Sequence, residues 1–265
     1  MASPINTDDT SLKSLEGEFL RLVCLNYWEE DSPKFRIEAK RLLVETPEIT
    51  GASIYAASAT GDTDTAEQFL NAEPGLLNQK GGIRHWEPLM YAAYSRLPGV
   101  STFPVGKLLI ERGADPNAHH VTTYGGDDFT FSALTGVFGG GGRGPKKCPM
   151  HREAEKFCRL LLEAGAAPND LQAAYNQMFS EGSFCLELLL EYGLAEKDID
   201  QEIMHYQLMW AVGKGHLERV KLLVEAHVDI NKKGANIGKG KTAYEFAVFN
   251  LQSEIADYLM SKIKS

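Results

Sequence analysis

The chain of 265 residues has little of four things: long apolar runs, cysteine, positive charge and catalytic signatures. Each shortage excludes a class of function. No stretch approaches the ~18 consecutive apolar residues that a membrane-crossing helix requires. The first residues, MASPINTDDTSLKSLEGEF, lack a basic segment followed by an apolar one, so no secretory leader is expected. Four cysteines are too few for a disulfide scaffold. Cys24, Cys158 and Cys185 stand among leucines, phenylalanines and valines and read as small buried hydrophobes, which makes a reducing cytoplasm the expected location. Basic residues number 27 against 36 acidic ones, a net charge of -9, and residues 1–80 alone hold 14 acidic and 7 basic residues. A nucleic-acid binder carries a basic face, so neither nucleic acid nor membrane is an expected partner. There is no G-x-S-x-G, no H-E-x-x-H and no G-x-G-x-x-G after a strand. The chain is therefore expected to be no enzyme, with no catalytic residue, no cofactor and no metal.

What the sequence does have is repetition. Apolar residues make up 43% and charged residues 24%, ordinary values for a chain able to bury a core. One phrase recurs, an amphipathic run with paired or tripled leucines and then a stop. It reads GKLLIERGADPNA (106–118), CRLLLEAGAAPND (158–170), CLELLLEYGLAEKD (185–198) and VKLLVEAHVDINKK (220–233). Gly113, Gly165, Gly193 and His227 mark the stops, separated by 52, 28 and 34 residues. These gaps scatter about a period of ~33 with one long insertion. A second phrase precedes each run: ASIYAASATGDTDTAEQFLN (52–71), EPLMYAAYSRL (87–97), FSALTGVFG (131–139), QLMWAVGKGHLERVKLLVEA (207–226) and TAYEFAVFNLQSEIADYLMS (242–261).

Those phrases resemble the ankyrin-repeat family. GKGHLERVKLLVEAHVDIN (213–231) is similar to the second half of such a repeat, GKTAYEFAV (240–248) to the start of the next, and GADPNA (113–118) to a common repeat ending. The resemblance covers roughly residues 51–265. It implies an all-α fold, an α-solenoid with short β-hairpin or turn fingers. The spacing agrees. Pro88 suits a first helical turn, and Leu89, Ala92 and Ala93 form one stripe. Val105, Leu108 and Leu109 do the same in the second helix before Gly113 supplies a left-handed stop. Units with so large an apolar face must stack. The expected repeats are about 51–80, 84–118, 124–170, 171–200, 205–233 and 240–265. Residues 1–9 read as a disordered start and 10–50 as an N-terminal helical cap, with Leu15, Phe19, Leu22 and Val23 on one face and Pro47 ending a second helix. Departures from the pattern, Glu87 before Pro88 and the insertion GGGGRGPKKCPMH (139–151), mark a diverged and natural member, of bacterial character.

Several motifs imitate chemistry. Residues 235–242, ANIGKGKT, resemble a phosphate-binding loop in which Lys241 would reach phosphate and Thr242 would hold Mg²⁺. Such a loop needs a strand before it, and here a helix end precedes; a repeat start is the preferred reading. The glycine run 139–142, with Arg143, Lys146 and Lys147, reads as a flexible insertion between two helices. Cys148, His151 and Cys158 fall short of a zinc set, Cys158 lying on an apolar helix face. Asp62/Asp64 and Asp127/Asp128 are read as solvated turns. His216 matches the Gly-His that opens the family's second helix.

Surface recognition is what remains. The resemblance implies a concave face of fingers and first helices. The expected partner-binding residues are Arg84, His85 and Trp86, then His119, His120, Tyr124, Asp127, Asp128 and Phe129, a set rich in types that anchor interfaces. Met204, His205, Tyr206 and Trp210 form a further patch, with Trp210 at a core position. The expected function is a monomeric scaffold that binds a protein partner. The competing class is a small-molecule or nucleotide binder using 139–147 or 235–242, and a third is self-association through irregular repeat four.

Overall fold

A computed structural model describes residues 9–27, 31–141, 148–180 and 182–264. Two compact units are present, one ending at Ala167 and the other beginning at Pro168. Of the expected disordered start 1–9, residues 1–8 lie outside the described residues, as do the basic residues of the insertion, Arg143, Lys146 and Lys147; Asp9 is helical.

The first unit begins with α1 (Asp9–Val23) and α2 (Pro33–Glu45), and a 3-10 turn at Pro47–Gly51 follows where Pro47 forbids further helix. Phe19, Leu20, Leu22 and Val23 are buried as α1 packs on α2 and on the next helix, α3 (Ile54–Thr60). Then come α4 (Thr63–Ala72), α5 (Pro88–Tyr94), α6 (Phe103–Glu111), the strands β1 (His119–Tyr124) and β2 (Asp127–Ser132), α7 (Ala133–Phe138) and α8 (Ala154–Glu163).

Helix pairs stack in two rows. The inner row, α3, α5 and α7, is short and thin, and all of its residues are buried. Their many alanines and Gly136 let backbones approach closely. The outer row, α4, α6 and α8, is amphipathic. Val105 and Leu109 of α6 and Phe157, Cys158 and Leu161 of α8 are fully buried, each worth about 1.5–3 kcal/mol where the side chain is large. Polar side chains start the helices: Ser53 caps α3 through the Ala56 N–H, Asp62 caps α4 through Thr65, and Ser132 caps α7 through Thr135.

The second unit repeats the scheme with α9 (Leu171–Gln177), α10 (Phe184–Glu191), α11 (Leu194–Lys197), α12 (Glu202–Lys214), α13 (Leu217–Glu225), α14 (Ala243–Phe249) and α15 (Ser253–Ile263). Helix α12 packs between α9 and α14, and α13 packs on α15. Buried Arg219 donates to the Met178, Ser180 and Gly182 carbonyls, which ties the irregular α9–α10 connection to α13.

Within each compact unit an amide ladder binds successive helix pairs. The Asn78 side chain accepts from the Asp115 N–H at 2.9 Å and donates to the Gly113 carbonyl at 3.4 Å. Asn117 does the same to Ala167 (2.9 Å) and Gly165 (3.1 Å), and Gln201 to Asp229 (2.6 Å) and His227 (3.1 Å). One amide thus brackets the stop of a later helix three times, with the partners always two residues apart.

Three readings are corrected. Asp64 lies within α4, behind the Asp62 cap, and not in a turn. Asp127 and Asp128 are not in a turn; they open strand β2, and the turn is Gly125–Gly126. Trp210 is only half-buried, set edge-on to Phe179 at 5.1 Å with the Lys214 ammonium 5.0 Å from its ring.

Candidate functional site

Strands β1 and β2 pair antiparallel, from His119 opposite Ser132 to Tyr124 opposite Asp127. Gly125 and Gly126 carry φ of 65° and 95°, the two positive values that a tight two-residue hairpin turn demands and that glycine adopts without strain. Alternation divides the side chains between two faces. His120, Thr122, Tyr124, Asp127, Phe129 and Phe131 share one face. His119, Val121, Thr123, Asp128 and Thr130 share the other. The base of the first face is buried and its tip is not: Phe131 is 1% exposed and Tyr124 65%.

The base rests on a column of rings. Trp86 stacks on His120 (4.6 Å), His120 on Phe131 (5.3 Å) and Phe131 on Tyr27 (5.1 Å). Tyr94 closes the column from the side, 4.9 Å from Trp86, and its hydroxyl donates to the Ser132 carbonyl at 2.9 Å. Such pairs add about 0.5–1.5 kcal/mol each beyond area burial. Burial pushes the His120 imidazole down to about 4, helped by the positive charges of Arg84, His119 and Lys80. It is neutral at pH 7, and its Nδ1 has no hydrogen-bond partner. The base of the hairpin is therefore a packing surface.

The nine candidate residues separate accordingly. Trp86 is 5% exposed and belongs to the column, as does His120. Arg84 lies 5.1 Å over the Trp86 ring and donates to the Arg21 carbonyl at 3.0 Å. Neighbouring His85 is exposed, with φ of 51° in the turn that the Gly81–Trp86 bridge closes. His119, Tyr124, Asp127 and Asp128 are exposed and Phe129 is half-buried. Asp128 accepts from the Thr123 hydroxyl at 2.6 Å across the strands. The hairpin thus brings six of the nine together, with Arg84, His85 and Trp86 at its foot. Sequence reasoning missed Tyr27, Tyr94 and Phe131. Phe131 was available from its alternation with Phe129; Tyr27 and Tyr94 had no signal beyond being aromatic.

The imitation motifs take ordinary structural positions. Thr242 caps α14 in a capping box with Glu245, and the preceding 235–241 segment is turn. Cys148, Cys158 and His151 are buried. Among the described residues no group of three or more His, Cys, Asp or Glu could hold a metal ion. In the second patch Met204 and His205 are buried, with His205 Nε2 2.9 Å from the Lys232 carbonyl. No helix among the described residues is long and apolar enough to cross a membrane.

A search of curated proteins gives no match to the chain. The family model of ankyrin repeats matches residues 151–265 in three copies. Within that span the helix pairs α12–α13 and α14–α15 and the Gln201 rung agree with the match. Residues 151–265 thus hold three ankyrin repeats, which are generally protein–protein interaction modules.

Proposed function

We propose that the chain is a non-enzymatic scaffold that binds a protein partner on the hairpin of residues 119–132. The observation that carries this reading is the contrast along one hairpin, an exposed tip on a base fixed by stacked rings. A finger held in this way loses little freedom on binding, which leaves more of the contact energy for affinity. Contact is assigned to His119, Tyr124, Asp127 and Asp128, with Phe129, Arg84 and His85 at the margin. Trp86 and His120 act as supports. The exposed carboxylates at the tip suit a neutral or basic partner surface.

We further propose that the repeats continue towards residue 51, beyond the matched span. The same helix pairing in α3 to α8 and the Asn78 and Asn117 rungs support this. The expected division into six repeats behind a cap at 10–50, a monomeric state and a reducing cytoplasmic location belong to the same proposal; so low a cysteine count, with all four buried, suits such a compartment.

Affinity capture from lysate of the source cells tests it, with wild type beside a Tyr124→Ala/Asp127→Lys variant of unchanged melting temperature. A protein held by wild type and lost by the folded variant supports the assignment. Equal retention by both refutes it.

A further inference from the structure

In the first unit a cavity of about 370 Å³ opens between α2, the 95–100 connection after α5 and residues 149–152. This is within the range of small-molecule sites, roughly 300–1,000 Å³. Its lining is unusual for a chain of net charge -9: Arg36, Arg96 and Arg152 border it, and among the described residues none of the lining is acidic. Apolar surface completes it, chiefly Ile37, Leu97 and Met150.

The three guanidiniums are differently held. Arg36 is buried and pairs with buried Asp31 at 2.6 Å, so this charge has a counter-ion. Arg96 differs. All five of its N–H groups donate to main-chain carbonyls, of Pro149 (2.9 Å), Ala93 (2.9 Å), Ser95 (2.8 Å), Gly136 (2.5 Å) and Val137 (3.4 Å), so Arg96 offers an anion its charge and no free donor. They orient the group and join the end of the insertion to α5 and α7, but carbonyl dipoles leave a full positive charge without a carboxylate. Burial pushes the Arg96 guanidinium down to about 10, and nearby Arg36 adds to the effect. Arg152 is exposed at the rim and donates to the Gly99 carbonyl at 3.3 Å. His151 adds no charge at neutral pH, since burial pushes it down to about 3. Positive charge held in a low-dielectric wall attracts an anion far more strongly than the same charge in water.

We propose that this cavity binds a small organic anion, its carboxylate or phosphate head hydrogen-bonded by Arg152 and drawn by the fixed charge of Arg96, and its apolar body against Ile37, Leu97 and Met150. The site is separate from the hairpin and stands whether or not the hairpin binds a protein.

Calorimetric titration of the full chain tests this with four probes: phenyl phosphate, benzoate, inorganic phosphate and uncharged benzyl alcohol. Phenyl phosphate or benzoate, or both, is expected to bind, and which one does identifies the head group. Inorganic phosphate should bind at least tenfold more weakly for want of apolar contact, and benzyl alcohol should give no heat. Arg152→Glu and Ile37→Glu both change exposed rim residues, so both should fold, and each should weaken binding at least tenfold. Arg96→Lys is a third variant, informative only if its melting temperature survives. The proposal is overturned if neither aromatic anion binds folded wild type at millimolar concentration. It is equally overturned if benzyl alcohol binds as well as they do, or if both rim variants bind unchanged.

Discussion

Replacing Gly136 by alanine reverses an ordinary expectation. In the middle of a helix the change normally stabilises by up to about 1 kcal/mol, because alanine restricts the unfolded chain. Here a Cβ on residue 136 would stand 2.2 Å from Tyr94 Cε2 and 2.3 Å from Cδ2, where ordinary contact begins near 3.4 Å. The ring would have to move by more than 1 Å. It is fully buried, bonded through its hydroxyl to Ser132, and wedged against Trp86 and His120. Overpacking of this kind costs about 1–3 kcal/mol, and loss of the hydroxyl bond about 1 more. Against the helical gain, Gly136→Ala should destabilise by roughly 1–3 kcal/mol net. Urea denaturation measures this, with Gly75→Ala as reference because a Cβ at Gly75 meets nothing within 4 Å. Near-ultraviolet circular dichroism should also change in Gly136→Ala, since the displaced ring belongs to the column under the hairpin. A Gly136→Ala protein as stable as wild type or more so would refute the close approach of α5 and α7.

Acid should weaken the fold well before its carboxylates protonate. His120 and His151 are held down to about 4 and about 3 against an ordinary 6.5. The folded protein refuses protons that the unfolded chain takes up, so their contribution is complete above pH 6.5 and is lost as pH falls toward those lower values. Between pH 7 and pH 5 each should remove up to about 2 kcal/mol, and His120→Phe, which keeps a ring in the column, should show a shallower fall in urea midpoint over that interval. Asn117→Ala removes both bonds of one ladder rung at an exposed site and should cost about 1–2 kcal/mol; Asn117→Asp, which keeps only the acceptor, should fall between the two by the same denaturation assay. Thr242→Ala breaks the α14 capping box and should cost about 1 kcal/mol, whereas adding ATP and Mg²⁺ should leave the wild-type melting temperature unchanged if that loop is a helix start.

The architecture was legible because it rests on local rules repeated. Pro88 at a first turn, the Leu89–Ala92–Ala93 stripe, and Gly113, which takes φ of 93° after α6, are each readable from a few residues. The hairpin itself was half legible. Its turn chemistry, Gly125–Gly126, lay in view, yet Asp127 and Asp128 read as turn because acidic residues are common there and their pairing partners sit across the strands. The ring column was hidden for a related reason. Tyr27, Trp86, Tyr94 and Phe131 are far apart in the chain, and no spacing announces that they meet. The amide ladder escaped as well: Asn78, Asn117 and Gln201 differ in type and lie at unequal distances from the stops they bracket. The anion cavity draws on α2, the 95–100 connection and the end of the insertion, three segments that no periodicity joins.

The central claim is that the hairpin tip meets a protein. Photo-cross-linking tests it most directly, with a benzophenone amino acid at position 124 and, in a second protein, at position 38 on the exposed side of α2. Irradiation in lysate of the source cells should yield a discrete adduct from position 124 and none from position 38, and Asp127→Lys in the same chain should abolish it. An adduct from position 38 alone, or none from position 124 in folded protein, would contradict the account.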